Sequence, residues 1–151
     1  MIRFGLGCVV LAISSPALAQ WQYMDAEGAY YAWVTDGGFV EGSFENGLNL
    51  FCPDVSGPEG QHRRVLCEFS VTIAGAKPTP PAAVSFTFSD GLVVKRRVEA
   101  VQGGPSQIAL EGELLDRMLS DSGVTVAVAS GESFTFSLEG SSHAIRKAMD
   151  L

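Results

Sequence analysis

Hydrophobic and polar residues alternate along several segments of this chain with the period of two that β-strands have. In segment 124–128 every second residue is valine, and in segment 134–138 phenylalanine and leucine alternate with threonine and serine. Segments 30–34, 84–88 and 92–94 are rich in aromatic and β-branched residues, which favour strands. Alternation of this kind is typical of antiparallel sheets with one face on the core and one in water.

Short turn signals separate these strands and predict hairpins. Asn46-Gly47 lies between the predicted strands 39–44 and 48–52, and both of its residues tolerate the positive φ of two-residue hairpin turns. Two further signals are Asp90-Gly91 and Gly131-Glu132, the second with glycine in the first turn position, as a type II′ turn prefers. We therefore predict a mainly β fold, either a small antiparallel β-sandwich or a partly open barrel.

Two segments have a helical period instead. Residues 113–119 place four apolar side chains on one stripe of a helix, and Gly123 is expected to end this helix. A second helix, at the C-terminus, is predicted to run to Met149, with Ser141 or Ser142 as its N-cap. Helices this short are not stable alone, so both are expected to dock on the sheets.

The start of the chain has the features of a secretory signal peptide. Arg3 is the only charged residue in this segment, an apolar run follows over 4–13, and Ala17-Leu18-Ala19 has the small-x-small form of a cleavage site. The alternative is a buried N-terminal strand or helix. No later segment has the ~20 apolar residues that a membrane-spanning helix needs. We predict a signal peptide over 1–19 and a single exported domain, periplasmic or secreted, over 20–151.

Export would leave two cysteines in the mature chain, Cys52 and Cys67, because Cys8 lies in the predicted signal peptide. They flank the loop 53–62, whose proline, glycine and aspartate content predicts no regular structure. An even number of cysteines in an oxidising compartment favours a structural disulfide. The alternative, a redox pair or a thiolate metal site, lacks the C-x-x-C spacing and further ligands.

Composition and motifs limit the classes of function. With 151 residues, 46% of them hydrophobic, the chain suits one domain with its own core. A formal net charge of −7 excludes a general nucleic-acid binder, which needs a basic surface. The chain has two histidines, His62 and His143, and no H-E-x-x-H or G-x-S-x-G motif. We expect no catalytic residue, metal or cofactor, while a role for either histidine stays open.

All tryptophans and tyrosines of the chain lie within residues 21–33. Such side chains combine an apolar body with a polar tip and are favoured at interfaces. In strand register, Tyr31 and Trp33 face one way and Ala32 and Val34 the other. The alternative is that one face packs on the core and the other covers an edge. The candidate partner-binding residues in this segment are Trp21, Tyr23, Tyr31 and Trp33.

A second candidate partner-binding surface is the basic run Lys95, Arg96 and Arg97. Guanidinium groups match the geometry of carboxylates and phosphates, so this run, if joined by Arg63-Arg64, would suit an anionic group or an acidic partner. The alternative is an edge strand whose charges prevent aggregation.

Several of these features together resemble the small exported proteins of the invasion-associated locus B type. They are Trp21 shortly after the predicted cleavage site, Cys52 and Cys67 on either side of a loop, and a strand that continues through Leu138-Glu139-Gly140 into a short helix. The resemblance implies an envelope or virulence-associated accessory protein without known catalysis. We therefore expect a non-enzymatic module that binds an envelope or secreted protein partner. The alternatives are a small-ligand or glycan-binding domain that uses the same aromatic residues and, after it, a hydrolase without a recognised motif.

Overall fold

The computed structural model describes residues 20–36, 39–40, 43–56, 62–64, 66–102 and 106–151. The predicted signal peptide, residues 1–19, lies outside the described residues. In chain order, the strands of the described ranges are β1 (Gln22–Ala26), β2 (Ala29–Thr35), β3 (Phe39–Val40), β4 (Ser43–Phe44), β5 (Gly47–Ser56), β6 (His62–Arg64), β7 (Glu68–Thr72), β8 (Ala83–Phe88), β9 (Val93–Arg97), β10 (Gly123–Ala127) and β11 (Ser133–Ser137). The helices are α1 (Gly112–Ser120), between β9 and β10, and α2 (Ser141–Met149), after β11.

The first sheet is antiparallel and is built around β5. One edge of β5 pairs with β2, which in turn pairs with β1. The other edge pairs with β7 near the start of β5 and with β6 near its end. Between β2 and β5 the chain forms a separate small hairpin from β3 and β4. The ten-residue strand β5 is therefore the centre of this sheet.

The hairpin predicted at Asn46-Gly47 is wrong. Gly47 pairs with Thr35, so β5 is the partner of β2 and not of segment 39–44. The amide of Asn46 instead closes the base of a longer loop, since its Nδ2 donates to Asp36 Oδ2 at 2.8 Å and its Oδ1 accepts from the backbone N–H of Ala74 at 2.9 Å. Pairing with β2 unites two strands that both bury an apolar face, and this outweighs the local turn preference.

The second sheet is antiparallel with the strand order β11-β10-β8-β9. Two predicted hairpins are confirmed, β8 with β9 and β10 with β11. Each has a three-residue turn whose last residue, Gly91 or Gly131, has a positive φ of 87° or 90°. The expected type II′ turn, with Gly131 first, is wrong, because a three-residue turn needs its left-handed residue at the end.

The inner faces of the two sheets form the core. The rings of Phe69 on β7 and Phe86 on β8 have centroids 6.2 Å apart, so side chains of the two sheets meet directly. The described strands do not close into a barrel, and the fold is a small, mainly β sandwich. The largest fully buried side chains of the described residues include Phe69, Phe86, Phe136, Leu48, Leu50, Ile73, Leu114, Met118 and Ile145.

The two helices complete the sandwich. They contact each other, and α2 packs against β1, β2 and β5 of the first sheet. The predicted apolar stripes are confirmed at Leu114 and Met118 of α1 and at Ile145 and Ala148 of α2, all of which are buried. Neither helix of the described part is long and apolar enough to cross a membrane.

The predicted ends of both helices need correction. Asp121 is the C-cap of α1, and Gly123 is the first residue of β10. Gly140 is the N-cap of α2, and no side chain caps that helix. Ser141 is 1% exposed, and its hydroxyl donates to the carbonyl oxygen of Met118 at 2.6 Å. This hydroxyl joins the start of α2 to α1 and so is not available as a cap.

The predicted pairing of the two cysteines is confirmed. The sulfur atoms of Cys52 and Cys67 are at bonding distance, 2.08 Å. The prediction that the loop 53–62 lacks regular structure is wrong in part, because β5 continues to Ser56 and pairs there with β6. Asp54 is accommodated in the strand because its backbone N–H bonds to a carbonyl oxygen and its carboxylate accepts from the hydroxyl of Tyr30 at 2.9 Å.

Candidate functional site

Tyr31 and Trp33 lie on the outer face of the first sheet, on the side opposite to the core. Their neighbours in β2, Ala32 and Val34, are 0% and 1% exposed, whereas both aromatic side chains are half-buried. This confirms the predicted division of the strand into two faces. The phenol ring of Tyr31 packs against Phe51 on β5, with ring centroids 5.2 Å apart.

Two more apolar side chains extend this aromatic surface across the strands. Met24 on β1 pairs with Tyr31, which pairs with Phe51 on the other side, so the three residues form one row across the sheet. Met24 is 45% exposed. Trp33 follows in the next row, between Gln22 and Asn49. We call Met24, Tyr31, Trp33 and Phe51 the aromatic face.

The aromatic face is bordered by polar side chains and by further exposed apolar residues. Glu68 continues the row of Tyr31 and Phe51 on β7. At the disulfide end of the sheet, Val55 is 43% exposed and Leu66 is 90% exposed. The other exposed large hydrophobic residues of the described chain are Val93 on β9 and Leu151 after α2. Apolar side chains on a sheet face with polar neighbours are typical of an interaction surface.

Trp21 does not belong to an accessible surface, so its assignment as a candidate partner-binding residue is corrected. The side chain is 6% exposed and belongs to the core. Its backbone N–H donates to the carbonyl oxygen of Glu139 at 3.1 Å, which holds it beside Gly140 at the start of α2. The large apolar indole is buried there although its Nε1 has no hydrogen-bond acceptor among the described residues.

Tyr23 is separated from Tyr31 and Trp33 by the sheet itself. It pairs with Ala32 on the inner side, where it is half-buried, and the ammonium of Lys147 lies 5.3 Å from its ring centroid. Tyr23 lines a groove of about 320 Å³ together with Arg64 of β6 and residues of α2. The aromatic residues that are close in sequence are therefore distributed over two sides of the molecule.

Arg64 has an ordered position at one end of this groove. Its guanidinium carbon lies 3.9 Å from the ring centroid of Tyr30, and its Nη1 is 3.1 Å from a carboxylate oxygen of Asp150. Tyr30 donates to Asp54, the strand partner of Arg64. The hydrogen bond to the Asp54 carboxylate raises the pKa of Tyr30 above its usual range, so this phenol stays protonated.

The basic run Lys95, Arg96 and Arg97 lies on β9, at an edge of the second sheet. Lys95 and Arg97 are exposed. Arg96 is half-buried, and its Nη2 donates to the carbonyl oxygen of Glu111, the residue before α1, at 3.4 Å. This edge position fits the alternative interpretation, in which the charges of an edge strand prevent aggregation. Arg64 lines the groove beside α2, and none of the three β9 residues lines that groove.

Sequence reasoning missed half of the aromatic face and most of the groove. Met24 and Phe51 become neighbours of Tyr31 through strand register, which alternation alone does not give. One signal for the groove was present: His143, Arg146 and Lys147 have the spacing that places side chains on one face of a helix. The helix period does not predict that these three side chains lie near Arg64, because that depends on how α2 packs on the sheet.

Neither surface contains an evident metal site. Within the described ranges, no group of three or more histidine, cysteine, aspartate or glutamate side chains is placed to hold a metal ion. His143 is exposed on α2 and lines the groove, while His62 is a residue of β6. A scan against family models and searches of curated proteins and solved structures found no significant match to this chain.

Proposed function

We propose that this protein is a non-enzymatic interaction module whose aromatic face binds a protein partner. The observation that carries the proposal is the row of Met24, Tyr31 and Phe51 on the outer face of the first sheet, with Trp33 beside it. Aromatic residues and methionine are enriched at protein interfaces because they bring large contact area with few rotatable bonds. No cofactor takes part in this function.

The shape of the surface favours a protein over a small molecule as the bound partner. Tyr31 and Trp33 stand on an open sheet face, whereas small ligands prefer concave sites that bury most of their surface. Val55 on β5 and Leu66, which precedes Cys67, are further exposed apolar side chains at the disulfide end of the first sheet. The partner best suited to this face has a complementary apolar patch with a polar rim.

Placement in the envelope or outside the cell is part of the proposal. The predicted signal peptide at 1–19 and the resemblance to proteins of the invasion-associated locus B type support it. The bridge between Cys52 and Cys67 also supports it, because disulfides persist mainly in oxidising compartments. The expected partner is therefore an envelope protein or a secreted protein.

Site-specific photocrosslinking tests the aromatic face directly. A photoreactive benzoyl-phenylalanine replaces Trp33 in one variant and Phe51 in another, and the chains are irradiated in intact cells of the source organism. The control carries the same group at Ser133, an exposed residue of the second sheet. We expect a discrete adduct with the same partner from positions 33 and 51 and none from position 133.

The two competing outcomes are distinguishable. Equal adducts from all three positions would mean nonspecific contact, and absence of adducts from positions 33 and 51 would contradict a protein partner on this face. A glycan or small ligand bound by the same rings gives that second result. A further Tyr31→Ser substitution is expected to weaken the adduct from position 51 without unfolding the domain, because Tyr31 lies outside the core.

A further inference from the structure

The groove between the first sheet and α2 is a concave surface lined by several basic side chains. Its walls are Tyr23 of β1, Arg64 of β6 and three residues of α2, His143, Arg146 and Lys147, with Asp150 and Leu151 at one end. The groove has a volume of about 320 Å³, which is the lower end of the range for small-molecule sites.

The side chains that line this groove carry a net positive charge, whereas the whole chain is negatively charged. Three of the ten lysine and arginine residues line it, Arg64, Arg146 and Lys147, against the single aspartate Asp150. The chain as a whole has a formal net charge of −7. Arg146 and Lys147 also lie in the last turn of α2, where cations interact favourably with the helix dipole. That interaction accounts for two of the cations, whereas Arg64 reaches the groove from β6, where it contacts Tyr30 and Asp150.

Arg64 is held in place before any ligand arrives. Its side chain is 18% exposed and stacks on Tyr30, so little conformational freedom is left for a ligand to remove. The only acidic side chain that lines the groove beside it, Asp150, is 83% exposed. An ion pair in which one partner is this exposed contributes little stability, so another anion can replace the Asp150 carboxylate. The ammonium of Lys147 over the ring of Tyr23 gives a second positioned cation in the groove.

We propose that this groove binds the oxyanion group, phosphate or carboxylate, of a small molecule, and that this anion takes the place of the Asp150 carboxylate on Arg64. Arg64 offers a planar fork that matches either oxyanion, and Arg146 and Lys147 add charge from α2. Tyr23 gives an apolar wall to the rest of the molecule. The site lies on the opposite side of the sheet from the aromatic face and does not depend on the function proposed for that face.

NMR titration of the folded domain, residues 20–151, provides the test. The probes are inorganic phosphate, glucose 6-phosphate, glucuronate and, as the neutral reference, glucose. We expect saturable shifts of the amide signals of Tyr23, His143 and Lys147 with the three anions and none with glucose. Tighter binding of glucose 6-phosphate than of inorganic phosphate would assign the site to a phosphorylated small molecule, and equal binding would assign it to the free anion.

Charge-matched variants separate a site from general attraction. Arg146→Gln with Lys147→Gln is expected to weaken binding about tenfold or more, because two charge-assisted contacts are lost. Lys95→Gln with Arg97→Gln removes the same charge from the exposed edge strand β9 and should leave the affinity within about twofold. Equal weakening by both double variants would overturn the proposal.

The Asp150→Asn variant is expected to strengthen anion binding, whereas the double variant Arg146→Gln with Lys147→Gln is expected to weaken it. Asp150→Asn removes the carboxylate that competes for Arg64 and is expected to tighten anion binding by about threefold or more, which no loss of structure would produce. Unchanged or weaker binding by this variant, with a folded spectrum, would overturn the exchange at Arg64. Absence of saturable shifts with all three anions would overturn the site as a whole.

Discussion

Arg117 connects three parts of the molecule through one guanidinium group. It projects from α1, pairs with Asp90 in the turn between β8 and β9, and bonds to Asp121 at the end of its own helix at 3.3 Å. The hydroxyl of Ser89 donates to the same Asp121 at 2.5 Å. These contacts fix the end of α1 against the β8–β9 hairpin.

The two carboxyl groups in this cluster make the stability of the domain sensitive to acid. The hydrogen bond from Arg117 lowers the pKa of Asp90, and the hydrogen bond from Ser89 is the first cause that lowers the pKa of Asp121. A carboxyl whose pKa is lower in the folded chain stabilises fully above its unfolded pKa, near 4, and loses this contribution as the pH falls through its folded pKa.

We expect Arg117→Gln to destabilise the domain at about pH 6 and to have a smaller and smaller effect as the pH falls below about 4 towards the lowered pKa values of Asp90 and Asp121. Urea unfolding of the two proteins across this pH range measures the difference. The control Arg97→Gln removes one positive charge from an exposed position on β9, and its stability should follow the wild-type curve at a constant offset. A difference between Arg117→Gln and wild type that does not shrink towards acid would contradict the linkage.

At the scale of residues, alternation in β2 was enough to predict that Tyr31 and Trp33 face away from the core. Trp21 was beyond this reasoning because it precedes β1 and is buried by the start of α2, 120 residues later in the sequence. The position of Arg64 was equally inaccessible, since its neighbours Tyr30, Asp54 and Asp150 come from three distant segments. Preference for interfaces does not decide whether an aromatic residue is buried.

At the scale of elements, one buried hydroxyl forms a hydrogen bond between the two helices. Ser141 opens α2 and donates to the carbonyl oxygen of Met118, which lies near the end of α1 and would otherwise lack part of its hydrogen bonding. A buried carbonyl that loses its partner costs about 1–3 kcal/mol. This interaction is the reason why a serine stands at a position that is 1% exposed.

Ser141→Ala is expected to lower the free energy of unfolding by about 1–3 kcal/mol. Chemical denaturation with tryptophan fluorescence measures this loss, because Trp21 is packed beside Gly140. The control Ser142→Ala removes the same atom from the next residue, whose hydroxyl accepts a bond from Arg146 on the surface at 3.3 Å, and should change stability by less than about 0.5 kcal/mol. If both variants lowered the free energy of unfolding equally, the hydrogen bond from Ser141 to Met118 would contribute no more stability than a hydroxyl on the surface.

Element positions followed from the sequence more reliably than element partners. The strands of the second sheet, both helices and two hairpins were predicted because each is a local pattern with its turn beside it. The partner of β5 was not, since Asn46-Gly47 has the local chemistry of a hairpin turn but β2 supplies the larger buried face. Whether Ser141 would cap a helix or bridge to another helix was likewise decided by packing and not by spacing.

At the scale of the whole molecule, the disulfide fixes one end of the first sheet. Cys52 lies in the central strand β5 and is fully buried, and Cys67 precedes β7. The two residues are 15 apart in sequence. A crosslink that closes a loop of this length stabilises a domain by about 3 kcal/mol, mainly because it restricts the unfolded chain.

Reduction of the wild-type protein is expected to lower the free energy of unfolding by about 2–4 kcal/mol. Guanidinium unfolding of the oxidised and reduced forms, with thiol alkylation of each, measures the effect. The double variant Cys52→Ala with Cys67→Ala serves as a matched comparison, because it loses the bridge and also side-chain volume, and it should be the least stable of the three. Coincident unfolding midpoints for the oxidised and reduced forms would refute a stabilising bridge.

The fold class was predictable at this scale because alternation, turn signals and cysteine spacing all indicate a compact β domain. The arrangement of sheets was not, since β8 and β10 pair across residues 89–122, a segment that contains β9 and α1. The groove depends on this arrangement, because β1, β6 and α2 are remote in sequence and meet only in the complete fold.

The contact of α2 with β1, β2 and β5 has a consequence for the order in which the molecule can be made. The helix is the last element in the chain, and the strands that it covers are among the first. A nascent chain that has left the ribosome as far as β7 therefore presents the apolar inner face of its first sheet to the surroundings. Until residues 141–149 emerge, the part of that face that α2 covers in the folded domain stays exposed, and a chaperone that recognises apolar strands can bind there.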